Sequence, residues 1–481
     1  MAKIINKTIH IFTVLFFITA LSSALLHVFA PVEVQAAQLD VSITSSDGAD
    51  CSRINDGYFS FDDKDGSTMA FDAGTQITIS ASEPIRALYI KWYFAPDPWT
   101  LQVNGTEISC GQKGYVQEYI EIPEQSGDVT SVTMVLGNSA ERLIDVYAFS
   151  DGPLPDFVHV WEDPYDKADV LLISTHADDE VLFFGGLIPT YVDKGGIRLQ
   201  VAYFTDFFQS EPYRVQELLE GLWIMGLTHY PQLGEFYDNY SESYEEAAGQ
   251  FDYDASLEYI VRTIRRFKPQ VLIGQDPNNG EYGHGGHMWC ARIIQDALAV
   301  TSDASVYPDS AAKYGTWEVP KVYFHLYPEN QIVFDARVPL ASFGGKTAIE
   351  IANEAYDAHW SQSSWMWFKV SDGLDPEFAE YGDELNCTKF GLYSTSVGED
   401  TGLIDIMEHI TPYDQQGSSA PADAAQAASQ TVAEESLISD DTAQLPAEDA
   451  AQSDLTSDDT AGSADNIESS QVAGANTSIS D

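Results

Sequence analysis

Two short stretches of the chain hold side chains suited to chemistry. The first is His176-Ala-Asp-Asp-Glu180, one imidazole and three carboxylates within five residues. Carboxylates crowded this closely repel one another unless a cation or a shared proton relieves them. Acids are also favoured at a helix N-terminus, so this stretch alone reads equally well as a cap. The second, Glu281-Tyr-Gly-His-Gly-Gly-His287, sets two imidazoles three residues apart, a spacing that turns both to one side of a helix start. One histidine and one carboxylate from the first stretch, with one histidine from the second, make a His₂-carboxylate set. That is a catalytic zinc arrangement, three protein ligands with a position left open for water.

Such a set needs two elements that bring residues a hundred positions apart together. The apolar run at 170–173 predicts a buried strand ending at the first stretch, and Val181-Leu-Phe-Phe-Gly-Gly begins a helical pattern. A second strand-like run, 270–274, leads through the loop 275–280 to the second stretch, which opens a helix over 288–298. Further strand-like runs at 199–204 and 322–326 alternate with amphipathic segments at 214–226, 256–267 and 346–360. Alternation of this kind predicts an α/β domain over 169–412, a doubly wound, mostly parallel, Rossmann-like sheet. Ligand chemistry in such sheets sits at strand C-termini, where both stretches fall.

The flanking regions read differently. Over 38–151, short alternating runs such as Ile77-Thr-Ile-Ser80, Leu88-Tyr-Ile-Lys-Trp92 and Val132-Thr-Met-Val-Leu136 are punctuated by Asp65-Gly, Asn104-Gly and Ser126-Gly, predicting an all-β sandwich. Residues 152–168, with three prolines, are expected to be a linker. The segment 413–481 holds fourteen acidic residues, no Lys or Arg and almost no aromatics, and is expected to be a disordered acidic tail. At the other end, Lys3 and Lys7 precede an apolar stretch and Val34-Gln-Ala36, predicting a signal peptide over 1–36 and a secreted or cell-surface protein; an uncleaved signal anchor is the alternative. The net charge of −52, still −38 without the tail segment, argues against nucleic acid as a partner. Cys51 and Cys110 are candidates for a disulfide or for two core thiols.

Taken in order, these motifs resemble the PIG-L/LmbE-like zinc deacetylases of N-acetylglucosamine-containing compounds, whose strand ends in His-Pro-Asp-Asp-Glu and which carry a later Gly-His-x-x-His. Phe204-Thr-Asp206, Arg214-Val-Gln-Glu217, Lys268-Pro and His359-Trp-Ser-Gln362 fall in the family's order. The resemblance implies one zinc per catalytic domain held by His176, Asp179 and His287, with Asp178 as general base, His284 as the electrophile that steadies the oxyanion, and Arg214 touching substrate. It implies N-deacetylation of GlcNAc-type sugars or glycans. An amide carbonyl is a poor electrophile, so its hydrolysis needs an activated water and help for the developing charge, which these residue types supply. Two positions depart from the family: Ala177 replaces the usual Pro, and Gly286 stands where an Asp normally partners His284, leaving Glu281 or Asp276 as substitutes.

The sandwich resembles discoidin-like, galactose-binding-type jelly rolls through Asn55-Asp-Gly-Tyr-Phe-Ser60 and Ile144-Asp-Val-Tyr-Ala-Phe149, which implies glycan binding. Trp92, Tyr93, Phe94 and Trp99 are candidates for a stacking platform or for core, as are Trp360, Trp365, Met366, Trp367 and Phe368. A competing expectation is a non-catalytic cell-surface glycan-binding protein whose enzyme-like domain has decayed, with Gly286 as its sole support.

Overall fold

The apolar run becomes the strand Val170–Ser174, buried at every position. Val170 and Leu172 join one hydrophobic core, Leu171 and Ile173 a second on the opposite face of the sheet. A strand covered on both faces needs apolar residues throughout, which is why it reads as a continuous run and not an alternation. From edge to edge its sheet runs Leu199–Tyr203, Val170–Ser174, Val271–Gly274, Lys321–His325, Lys389–Thr395 and Gln331–Val333. The first four strands are parallel. The last two close the sheet antiparallel and left no clear signal in the sequence.

The chain steps from Val170–Ser174 to one side and then returns to the other, so the strand order reverses between Val170–Ser174 and Val271–Gly274. Diverging connections leave a crevice at that point, at the strand C-termini. Helices Ile188–Lys194, Tyr213–Ile224 and Ala348–Ala358 cover one face. Tyr244–Gln250, Tyr253–Phe267 and Gly285–Leu298 cover the other. Local signals set several ends. Asp252 caps Tyr253–Phe267 by accepting from Ala255 N at 2.8 Å, and Thr347 with Glu350 forms a capping box at Ala348–Ala358.

This computed structural model describes residues 36–51, 68–208, 211–364, 369–374, 376 and 384–416. The expected signal segment to residue 35, the Asn55-to-Ser60 turn, Trp365 to Phe368 and the tail from 417 lie outside the described residues. Tyr413–Gln416, assigned to the tail by composition, form a helical turn, and the Tyr413 hydroxyl donates to Lys268 O at 2.7 Å. Among the described residues, no helix is long and apolar enough to cross a membrane.

The N-terminal region forms two antiparallel sheets. One has five strands, Val41–Ser45, Gln76–Ala81, Ser131–Val135, Trp99–Val103 and Thr106–Cys110; the other has four, Met69–Phe71, Glu141–Phe149, Ala87–Trp92 and Gln117–Glu121. Ile77, Ile79, Leu88, Ile90, Leu101 and Met134 fill the space between them. Trp92 and Trp99 are core as well: both indoles are buried and both donate to Glu118 Oε2 at 2.9 Å, which removes them from any stacking platform. Tyr93 is half-buried and Phe94 is exposed. All four cysteines are free and buried. The expected linker is wedged into the structure, with Val158, His159 and Trp161 buried.

Candidate active site

Each half of the site hangs from one strand of the reversal. Thr175 follows the first strand and Gln275 the other, and Gln275 Oε1 accepts the Thr175 amide at 2.9 Å, tying the two strand ends together. Beyond them the first stretch makes a tight turn. Asp178 adopts φ 113°, a left-handed backbone that costs energy for a side-chain-bearing residue and persists only where its surroundings hold it. Those surroundings are visible. Glu180 Oε2 accepts the Asp178 amide at 2.9 Å, Arg214 donates to the carbonyl of Ala177, and Asp179 Oδ2 accepts the His176 amide at 2.7 Å.

His176, His284 and His287 form a buried group whose nitrogens lie close enough together to hold a metal ion. Asp179 comes closer still. Its Oδ2 is 3.0 Å from His176 Nδ1 and 3.2 Å from His287 Nε2, and those two nitrogens are 3.1 Å apart. Donors at ordinary zinc distances in a tetrahedron lie about 3.3 Å from one another, so this triangle has nearly the size a bound ion would give it. Burial pushes the Asp179 carboxyl up, but the His287 and His176 rings outweigh that and hold it well below the usual carboxylate range. His287 is raised to about 10, because Asp179 and Glu281 overcome the opposing effect of burial. The cluster therefore demands positive charge at its centre.

A second layer orients the ligands. His287 Nδ1 lies 2.6 Å from Glu281 Oε2 and 3.1 Å from Gly280 O, which leaves Nε2 to face the triangle. Glu281 Oε1 meets His325 Nδ1 at 2.8 Å, and His325 Nε2 meets Asn386 O at 2.6 Å. Such partners fix the tautomer and angle of a metal-ligating imidazole. The carboxylate at 281 thus serves His287 and not His284, and Asp276 spends its oxygens on the amides of Asn278 and Asn279.

His284 has a different partner from either expected. Its Nδ1 accepts the Gly286 amide at 3.1 Å, which places the ring proton on Nε2. Burial, reinforced by His287 and His176, pushes its pKa well down, so it is a neutral donor and not an imidazolium. The same contact explains the glycine: a Cβ at 286 would stand 3.2 Å from His176 Nε2 and from the His284 ring, tighter than ordinary packing.

Arg214 is brought into the crevice by helix Tyr213–Ile224. Its guanidinium lies over the Phe207 ring at 4.8 Å, 3.5 Å from Asp178 Oδ2 and 3.2 Å from Asp238 Oδ2. Burial raises the Asp178 carboxyl against the pull of Arg214. Behind the turn, His359 Nε2 lies 2.7 Å from Glu180 Oε1, and Glu217 accepts Ser361 N and Oγ. All six expected site residues therefore meet in one crevice.

Two participants escaped the sequence. Asp238 touches both Arg214 and, at 3.6 Å, His176 Nε2, but it follows a two-residue strand, Phe236–Tyr237, too short to read. His325 was detectable in principle, as an imidazole at the C-terminal end of a recognised strand.

A histidine–carboxylate cluster thus sits at the switch point of an α/β domain, the kind of donor set that can hold a metal ion. More specifically, residues 171–298 match the PIG-L family, described as GlcNAc-PI de-N-acetylase, and the chain carries a domain of that family. It is 28% identical over 190 residues to a 1D-myo-inositol 2-acetamido-2-deoxy-alpha-D-glucopyranoside deacetylase of Streptomyces scabiei, a match covering 34% of this chain and 57% of that protein. A protein of the same description from Streptomyces avermitilis is 28% identical over 187 residues, covering 33% and 61%. The chain thus spans less than two thirds of the length of either relative. Among solved structures, the N,N'-diacetylchitobiose deacetylase of Pyrococcus horikoshii aligns with a TM-score of 0.36 at 17% identity, covering 52% of this chain and 89% of that one.

Proposed function

We propose that the protein is an exported, zinc-dependent N-deacetylase that removes acetyl groups from GlcNAc-type sugars or glycans. The observation that carries this reading is the triangle of His176 Nδ1, Asp179 Oδ2 and His287 Nε2, with edges of 3.0 to 3.2 Å, standing beside Asp178. The deacetylase descriptions of its relatives supply the substrate class. Export rests on the Lys3 and Lys7 region and the apolar stretch after it, and fractionation of an expressing cell tests it.

In this mechanism His176, Asp179 and His287 would hold the ion, which would supply Lewis acidity toward the amide and the water. Asp178 takes the proton from the attacking water. A carboxylate beside the water can accept a proton and return it. The returned proton goes to the sugar nitrogen as the amide C–N bond breaks, so that amine and acetate leave. His284 donates from Nε2 to the carbonyl oxygen as charge builds there. Arg214 and Asp238 form a charged wall that holds Asp178 and presents polar atoms to the sugar.

Release of acetate from N-acetylglucosamine and its oligomers, measured with metal analysis of the same preparation, tests the reading. Fully active protein without metal would overturn the mechanism. A decayed domain is less well supported, because Gly286 makes room for three packed imidazoles and its amide orients His284.

A further inference from the structure

In a free β-sandwich the outer face of each sheet meets water, and its strands alternate between buried and exposed residues. The four-stranded sheet does not. Ala87–Trp92 is buried at all six positions, and Glu141–Phe149 at every position except Arg142. Part of that outer face is apolar and packs on the connector at Leu154, Phe157 and Val158, but part is polar: Lys91 stands opposite Gln117 and Asp145 on the neighbouring strands, and all three are 1% exposed or less. Burying such groups is costly unless something specific receives them.

Gln117 is received by helix Tyr213–Ile224, the helix that carries Arg214. Gln117 Nε2 donates to Gln216 Oε1 at 2.9 Å, and Gln216 Nε2 donates back to Trp92 O at 2.9 Å and Val116 O at 3.3 Å. Gln117 Oε1 accepts from His159 at 2.9 Å and from Trp161 Nε1 at 2.8 Å. His159 stacks on Trp223 of the same helix with 4.7 Å between ring centroids, and Tyr115 stacks on Tyr230 at 3.9 Å. Arg214 and Glu217 of this helix face the crevice, while Gln216, Glu220 and Trp223 face the sandwich.

We infer that the sandwich is a fixed strut of the catalytic domain, and that Gln117 and Gln216 are positioning residues that set the helix from which Arg214 reaches Ala177 and Asp178. Gln216 uses both its donor and its acceptor across the interface, while Gln117 donates across it and holds His159 and Trp161 of the connector with its oxygen, so the helix cannot rotate or slide without leaving buried polar groups unpaired. The activity arm of the test rests on the deacetylase reading; the structural arm does not.

The test uses the full chain with Gln117→Leu and Gln216→Leu, and Thr133→Val on the far sheet as control, since the Thr133 hydroxyl meets that of Thr78 within its own sheet at 3.1 Å. Both leucine variants should speed amide-hydrogen exchange within 213–224 and lower kcat about tenfold or more, with metal content unchanged, because small displacements of catalytic groups are costly. Thr133→Val should do neither. Should Gln117→Leu fail to fold, Gln216→Met, which keeps the volume but not the amide, carries the same test. Wild-type exchange in that helix, or faster exchange with kcat unchanged, overturns the inference. If the wild-type protein releases no acetate, the functional reading fails by itself and the exchange data alone decide the strut.

Discussion

His287 turns its Nδ1 to the Glu281 carboxylate at 2.6 Å, and so presents Nε2 to Asp179 and His176. The buried carboxylate therefore acts on the triangle without being part of it. Glu281→Ala should weaken metal binding about 10- to 100-fold, the usual cost of losing such a partner. Competition with a chromophoric chelator measures this directly, and equal affinity in the variant would place the orienting force elsewhere.

Asp178→Asn should keep the metal and lose the chemistry. Asparagine tolerates a positive φ better than most residues, so the turn at 113° survives the change. Loss of a general base typically costs about 10²- to 10⁴-fold. Amine release and metal content, measured on one sample, separate loss of catalysis from loss of the site.

Removing the ion should leave the three donors held together only by a proton on His287. A chelated preparation should melt lower than the zinc-loaded protein, since ligand at a thousand times Kd stabilises by about 4 kcal/mol. Calorimetry with zinc added back checks it; coincident melting curves would contradict the metal reading independently of any substrate.

The interface makes a prediction about pH. Burial lowers the Lys91 ammonium to about 8, against the pull of Glu220 and Asp145. The unfolded chain keeps that proton up to the ordinary lysine range, so between about 8 and 10 it binds more protons than the folded chain. Stability therefore gains a contribution as pH rises through this window. Lys91→Met should lose that contribution, which appears as a difference between the two denaturation-versus-pH curves. Parallel curves would show that Lys91 titrates normally.

Much of the α/β domain was legible because its physics is local. Buried parallel strands need unbroken apolar runs, and Val170–Ser174 and Val271–Gly274 have them. Both halves of the site were legible because each sits just past such a run. Asp238 was not, since its position depends on a two-residue strand pairing with Thr205–Asp206. The partner of His284 was missed for a related reason: a backbone amide leaves no mark in a sequence. In the sandwich, Leu88-Tyr-Ile-Lys-Trp92 reads correctly as a strand, but its Lys91 implies a wet face. The cover over that face comes from Gln216 and Glu220, more than a hundred residues on, and no local pattern reports it.

The polar yet sealed outer face of the four-stranded sheet bears on how this chain can be inherited and dissected. A module acquired by recombination normally stays portable, free to be swapped, duplicated or cut away. Here Gln117 and His159 on one side, and Gln216 and Trp223 on the other, have become mutually dependent. Severing the two would strand ionisable groups and aromatic rings on both cut surfaces, so the minimal unit for expression, evolution and inhibitor design is the sandwich and the α/β domain together.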